Sequence, residues 1–418
     1  MDTLTRSLLV FSTFSSLASC ESNLWDINER LRTQLLQNYQ KMTFPHKGPN
    51  DTATVFFDFL LMGAWFQEDL QILNVKSWVV MMWYEPRFVW DPKDFGSIEI
   101  LHLASDEIWK PDITLYNNAD VKEVNHYGKN HVLVYPSGMV LWVPPALFQV
   151  ECPLDFTYWP YDLQQCHLVI GSWTSHGWQI DLQLFHNNSE VQLGAYWEPS
   201  HEWQFQSGTI WRQETKYACC PEPYVSITIT LNLKRVSATF TGTIVIPACA
   251  ISALTLIQFL LPVREKKRLL VGCCCLLLTI LEVIHLGSSI PRLSTSTPII
   301  VKFYGQTFIV VTVSVAVTAL ILRLTDTEHP AASTPPPNLL KTILMGPLSS
   351  LLFLHHYTEK VGRSGGGDED GEVLDTDIKN SVNYAPDWLL VAAAFDRLAA
   401  LCFLVTFVVM LIAYVAPV

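Results

Sequence analysis

Hydrophobic and polar positions change period several times along the chain, and each change marks an element. An apolar run from Leu8 to Phe14 follows Arg6 and gives way to the small-residue exit Leu17-Ala18-Ser19-Cys20, the layout of a cleaved secretory signal over residues 1–20. Leu24, Ile27, Leu31, Leu35 and Leu36 then recur at helical spacing, which predicts an amphipathic helix within Ser22 to Tyr39. From Ala53 to Arg235 the period shortens to two. Val55, Phe57 and Phe59 alternate with their neighbours, Trp78 to Trp83, Val132 to Val143 and Ile227 to Leu233 are apolar, and Gly, Pro, Asn and Asp punctuate them. Many short strands between turns predict a β-sandwich domain over residues 21–235.

After Arg235 the pattern is that of a membrane protein. Thr239 to Leu261, Leu269 to Leu286, Ile299 to Leu324 and Trp388 to Val415 each approach or exceed the roughly 20 residues that cross a bilayer. The expected layout is three spanning helices within 236–324, a loop over 325–387, and a fourth span with a short extracellular tail over 388–418. Lys266, Lys267 and Arg268 lie in the short link between the first two spans, and the positive-inside tendency puts that link in the cytoplasm. The N-terminal domain and the Arg292 to Pro298 link are then extracellular. The 325–387 loop is cytoplasmic; its prolines and its Gly365 to Glu372 acidic stretch predict that much of it is disordered. Helical pieces are expected at Leu339 to Leu354 and from about Asp375, with Pro386 interrupting or starting a helix.

Composition narrows the function. Half of the residues are hydrophobic and the net charge is −12 without a basic stripe, which argues against a nucleic-acid partner. Of the ten cysteines, Cys152 and Cys166 enclose thirteen residues and read as a cross-linked loop, which implies an oxidised compartment. Cys249, Cys273, Cys274, Cys275 and Cys402 lie in apolar segments and read as small hydrophobes, so no metal and no cofactor are expected. No paired nucleophile and base and no phosphate loop occur, which speaks against an enzyme. Asn50 and Asn187 open glycosylation acceptors.

A signal peptide, a helix, an extracellular sandwich with a thirteen-residue disulfide loop and a four-helix transmembrane domain, in this order, resemble the pentameric Cys-loop ligand-gated ion channels. The nicotinic acetylcholine receptor branch is the most similar: WKPDITLYNNAD at Trp109 to Asp120, GSWTSHGW at Gly171 to Trp178, YACCPEPY at Tyr217 to Tyr224 and DWLLVAAAFDRL at Asp387 to Leu398 carry the likeness. The resemblance implies a plasma-membrane pentamer with four further subunits, identical or not, a small amine-type ligand, surrounding lipid and permeating ions as partners. It also implies a ligand site whose principal face is Tyr116, Trp173, Tyr217 and Tyr224, with a Cys219–Cys220 disulfide at the loop tip, and whose complementary face holds Trp78. An amine cation is attracted to each aromatic face by about 0.5 to 2 kcal/mol. Leu141 and Val143 make the complementary wall apolar, which favours a bulkier ligand. Val169 stands where strongly responding nicotinic subunits commonly carry Lys, so a polar link to the Tyr217 loop is lost.

Matching the second span to the branch through Leu261-Pro262 and Pro291 implies a pore lined by Lys267, Leu270, Cys274, Leu277, Leu281, Ile284 and Ser288. Leu277 falls at the ring where the family closes by dewetting. Lys267 and Arg268 are expected to ring the cytoplasmic mouth, where cation-selective members carry Glu. Leu270 and Cys274 replace small hydroxyl residues, which supports an alternative reading as an assembled receptor or auxiliary subunit that conducts poorly or not at all. Glu282 and His285 lie on one side of the span, placed to pair with each other; His285 reads first as a plain contact with the neighbouring helix and alternatively as a proton sensor. Arg235 and the loop tip of Trp159, Pro160, Tyr161 and Asp162 are expected to couple binding to gating, with the tip over Arg292 to Pro298.

Overall fold

A computed structural model of the chain describes residues 24–45, 48, 51–120, 126–185, 189–290, 296–326, 334–365 and 384–415. The expected signal peptide, the acceptors Asn50 and Asn187, Arg292, the acidic stretch after Gly365 and the helical piece from Asp375 lie outside the described residues. Contacts divide the chain into two units, Met1–Pro153 with Leu163–Lys234, and Leu154–Asp162 with Arg235–Val418.

The first unit opens with helix α1 (Leu24–Leu36), which ends before the expected Tyr39 and buries Leu31 and Leu35. Ile27 and Leu36 are half-buried and its other positions are polar or exposed, so an apolar stripe centred on the two leucines holds it down. The strands that follow are β1 (Ala53–Gln67), β2 (Ile72–Val89), β3 (Leu101–Ala104), β4 (Ile113–Leu115), β5 (His131–Val134) and β6 (Ser137–Trp142). They continue with β7 (Pro145–Glu151), β8 (Leu163–Ser172), β9 (Ile180–Leu184), β10 (Gln192–Leu193), β11 (Trp203–Lys216) and β12 (Pro223–Arg235). Among the described residues these form an eight-stranded sheet with β1 and β2 at its centre and a four-stranded sheet in the order β11-β12-β8-β4.

The period-two pattern sets which faces meet. Val55, Phe57 and Phe59 point inward and are essentially inaccessible, as are Val140 and Trp142 on β6 and Ile227, Ile229 and Leu231 on β12. Across the sheets, the rings of Phe66 on β1 and Trp203 on β11 are 4.5 Å apart and both are buried. Cys152, just after β7, is bonded to Cys166 on β8, which ties the larger sheet to the smaller one. Pro86 sits where the β2–β6 register shifts between Tyr84 and Val89, as a residue that cannot donate to a ladder requires.

The second unit holds the four spans: α2 (Ala238–Leu260), α3 (Lys267–Ser289), α4 (Ile299–Leu324) and, after three shorter helices, α8 (Ala385–Val415). In α2 the turn Thr241–Val245 widens to a π-helix just before Pro247, and the Tyr304 hydroxyl donates to the Ile244 carbonyl at 2.7 Å. Pro386 lies in the first turn of α8, so it starts that helix. Among its described residues, the loop before it holds one helix beyond the expected pieces. It contains α5 (Asn338–Met345), α6 (Pro347–Leu351) and α7 (His355–Gly365), with Leu344, Leu352, Leu354 and Val361 buried against Val263, Ile321 and Leu390. The expected single helix over 339–354 is broken at Gly346, whose ψ of −157° is extended. Leu354, just before α7, and Val361 within it, two turns apart, supply enough apolar contact to order a polar stretch.

Candidate functional site

Four aromatic side chains gather at the ends of the smaller sheet. Tyr116 follows β4; its N–H donates to the Val169 carbonyl at 2.8 Å and its hydroxyl donates to the Ser172 carbonyl at 2.7 Å. A Cβ on Gly171 would overlap that hydroxyl, so glycine is what leaves room for it. Trp173 follows β8 and is oriented by Asp112, whose carbonyl accepts from Trp173 N–H at 3.2 Å. The Asp112 carboxylate accepts from Ser172 Oγ and, at 2.7 and 2.6 Å, from Thr174 N–H and Oγ1. The Tyr116 and Trp173 rings stand 6.2 Å apart, edge to face. Tyr217 leaves β11 and Tyr224 enters β12, with 5.4 Å between their rings and the bonded Cys219–Cys220 pair between them in sequence.

The two ring pairs belong to one cluster. Burial, followed by the nearby groups Tyr217, Asp112 and Tyr224, pushes the Tyr116 hydroxyl up to about 12. It therefore stays a neutral donor at physiological pH. Trp173 is 66% exposed and Tyr217 54%, so π faces are open to a ligand from outside the protomer. Among the described residues no ammonium or guanidinium group stands over the Trp173 or Tyr217 ring, and open aromatic faces of this kind suit a desolvated organic cation.

The residues expected on the complementary face lie on the larger sheet. Trp78 on β2 has its ring 5.8 Å from Tyr196. Leu141 on β6 and Val143 just after it are half-buried on either side of the buried Trp142, and the Val143 carbonyl accepts from Asn130 Nδ2 at 2.8 Å. One protomer does not bring these residues onto the Tyr116 and Trp173 rings. Sequence reading missed Tyr196, an exposed aromatic in an aperiodic loop, and missed Asp112, although the motif that carries Tyr116 contains it.

On α3 the seven residues Lys267, Leu270, Cys274, Leu277, Leu281, Ile284 and Ser288 are all exposed in the protomer. The opposite face, Gly272, Cys275, Thr279 and Leu286, is buried. One expectation here is corrected. Arg268 does not stand beside Lys267 at the mouth: it is 0% exposed, ion-paired with Asp396 of α8, and donates through Nε to the Gln258 carbonyl at 3.1 Å. One step of about 100° around a helix carries it from the open face to the packed one. Glu282 and His285 do not pair with each other among the described residues; Glu282 is half-buried and His285 is exposed.

The disulfide loop meets the spans within the second unit. Arg235 and Asp162 form a buried ion pair at 2.7 Å, with a second contact at 3.2 Å. Trp159 packs on Phe240, ring centres 4.9 Å apart, and the Tyr161 hydroxyl is 2.9 Å from that of Thr241. The tip therefore rests on the start of α2. Among the described residues of the α3–α4 link, Ser296 is met by the earlier part of the loop: Thr157 Oγ1 is 2.7 Å from Ser296 Oγ, and the Thr157 carbonyl accepts from Ile299 N–H at the start of α4 at 3.0 Å.

Comparison with known proteins gives two family matches. The neurotransmitter-gated ion-channel ligand binding domain matches residues 28–237, and the neurotransmitter-gated ion-channel transmembrane region matches residues 244–383. The chain is 33% identical over 354 residues to neuronal acetylcholine receptor subunit alpha-6 of Mus musculus, covering 84% of this chain and 69% of that one. It is 33% identical over 318 residues to acetylcholine receptor subunit beta-like 1 of Drosophila melanogaster, with 76% and 60% covered. With neuronal acetylcholine receptor subunit alpha-3 of Homo sapiens it shares 30% over 343 residues, 81% and 66% of the two chains.

Proposed function

Because the chain belongs to the neurotransmitter-gated ion channels, as a nicotinic-type subunit, we propose that an amine cation binds between two neighbouring subunits and opens a pore lined by the exposed stripe of α3. Tyr116, Trp173, Tyr217 and Tyr224 supply the principal face, and Trp78 of the next subunit, with Leu141 and Val143, closes the cage. The observation that carries this reading is the four-ring cluster, two of whose rings lie open in the protomer. A cation held there loses its water to aromatic faces rather than to a carboxylate, which selects a quaternary or protonated amine over a small metal ion. Closure of the Tyr217 to Tyr224 loop over the ligand shifts the channel only by the difference in affinity between its states. The Arg235–Asp162 pair and the loop contacts on α2 and on Ser296 are the route by which that shift reaches the spans.

A second reading, an assembled subunit that binds ligand but carries little current, is favoured by the apolar inner stripe at Leu270 and Cys274, which offers nothing to replace an ion's hydration shell. Binding of a labelled quaternary amine to the surface-expressed chain tests the cage itself. Trp173→Ala and Trp78→Ala are each expected to weaken it by roughly tenfold, the scale of one desolvated cation–π contact, while Trp178→Ala, next to the cluster in sequence, leaves it unchanged. Equal losses in all three variants, or none in any, contradict the assignment.

A further inference from the structure

Along the exposed stripe of α3, Lys267 is the charged residue; the other positions are leucine, isoleucine, cysteine and serine. We propose that the pore lined by this stripe passes small anions such as chloride, and excludes sodium and potassium. This rests on the channel reading above and names the class of ion that permeates.

The acids near the stripe are turned away from it. Glu282 stands one step of about 100° beyond Leu281 and is half-buried, with Oε2 shut off from solvent. Glu265 is half-buried at the start of α3, where its Oε1 accepts from Lys267 N–H at 3.4 Å. A carboxylate in that place offsets the partial positive charge of the helix end. The Lys267 ammonium itself is exposed and makes no ion pair among the described residues. Arg268 is neutralised inside the protomer by Asp396, and His285, at the far end of the helix, brings no negative charge.

The position of Lys267 is also unfavourable for the helix it begins. Helix N-termini are stabilised by acids, yet α3 has none in its first turn and opens on Lys267 and Arg268. Asp396 compensates Arg268, whereas Lys267 gains nothing within the protomer. Its effect belongs to the assembly, where five copies form a ring of ammonium groups at the inner mouth that draws in anions and repels cations. The apolar stretch above the ring acts in the same direction. From Leu270 to Ile284 the stripe has no side-chain oxygen to replace water around a cation, while the Cys274 S–H is a weak donor that can face an anion. Chloride, larger and more weakly hydrated than sodium, loses less on passing such a wall.

The test is the reversal potential of current through the full-length chain expressed alone, in the wild type and in Leu277→Thr, with surface binding of a labelled quaternary amine confirming assembly of every variant. Diluting external sodium chloride with isotonic sucrose moves the reversal potential of an anion pore to positive values and that of a cation pore to negative ones. A positive shift is expected. Lys267→Gln is expected to lower the chloride-to-sodium permeability ratio by roughly tenfold and Lys267→Glu to reverse the sign of the shift, as loss and inversion of a charge ring predict. Lys267→Arg keeps the ratio, and Lys266→Gln, which removes the same charge off the stripe, should change it by less than about twofold. A negative shift in the wild type overturns the proposal and leaves the channel reading standing. An anion preference that survives Lys267→Glu overturns the role given to Lys267. Absence of current in both the wild type and Leu277→Thr, at a surface that binds the amine, overturns the channel reading and this proposal with it.

Discussion

Tyr116 shows how much of the proposed ligand site is decided by single residues. Its hydroxyl is held neutral by burial and by its neighbours, with a folded value of about 12 against an ordinary 10.0. A group raised on folding contributes stability that is complete below its unfolded value and is lost as pH rises through its folded one, so this contribution fades between about pH 10 and pH 12. Tyr116→Phe cannot ionise, and its melting temperature is expected to fall less than that of the wild type between pH 9 and pH 11; an equal fall contradicts the placement. Arg268 carries a larger penalty. Removing it as Arg268→Ala leaves Asp396, 1% exposed, without its partner, a change expected to destabilise the protein by about 3 to 5 kcal/mol. Arg268→Met combined with Asp396→Leu should recover most of that, read by thermal unfolding of the detergent-solubilised protein.

At the level of elements, period decides what is legible. The four spans and the alternation of β1 follow from apolar spacing, and the stripe on α3 follows from residues three and four apart. Arg268 was not legible in this way because it follows two exposed lysines, and its partner lies 128 residues further along the chain. Asp396 was the available signal, as an acid inside an apolar span. Helix α7 was hidden for the opposite reason: its apolar residues are few, and what orders it is packing onto Leu390 and its neighbours. The residues of the proposed cage carry flanking motifs, while Tyr196 beside Trp78 has no motif and becomes visible only in three dimensions. The disulfide loop carries its own prediction. Asp162→Asn weakens the buried pair with Arg235, whose charge is then poorly compensated. Amine binding is expected to persist while the evoked current falls, measured as a fixed binding constant with a reduced maximal response.

For the whole molecule, the cage residues and the pore stripe make complementary demands on assembly. Trp78 and the Tyr116 cluster lie on different sheets of one protomer, and the apolar stripe of α3 is open in that protomer, so the proposed cage and the proposed pore each call for a neighbour. A pentamer satisfies both at once, and a chain that carries both proposed faces could form it from copies of itself. What then separates a channel from a silent receptor is whether the stripe can hydrate. The most direct measurement is the amine-evoked current of the chain expressed alone, with Leu277 and with Leu277→Thr, each with and without Trp173→Ala. The account predicts a current that appears at lower amine concentration in Leu277→Thr and disappears when Trp173 is replaced. Surface pentamers that bind the amine yet pass no current with either residue at 277 would contradict it.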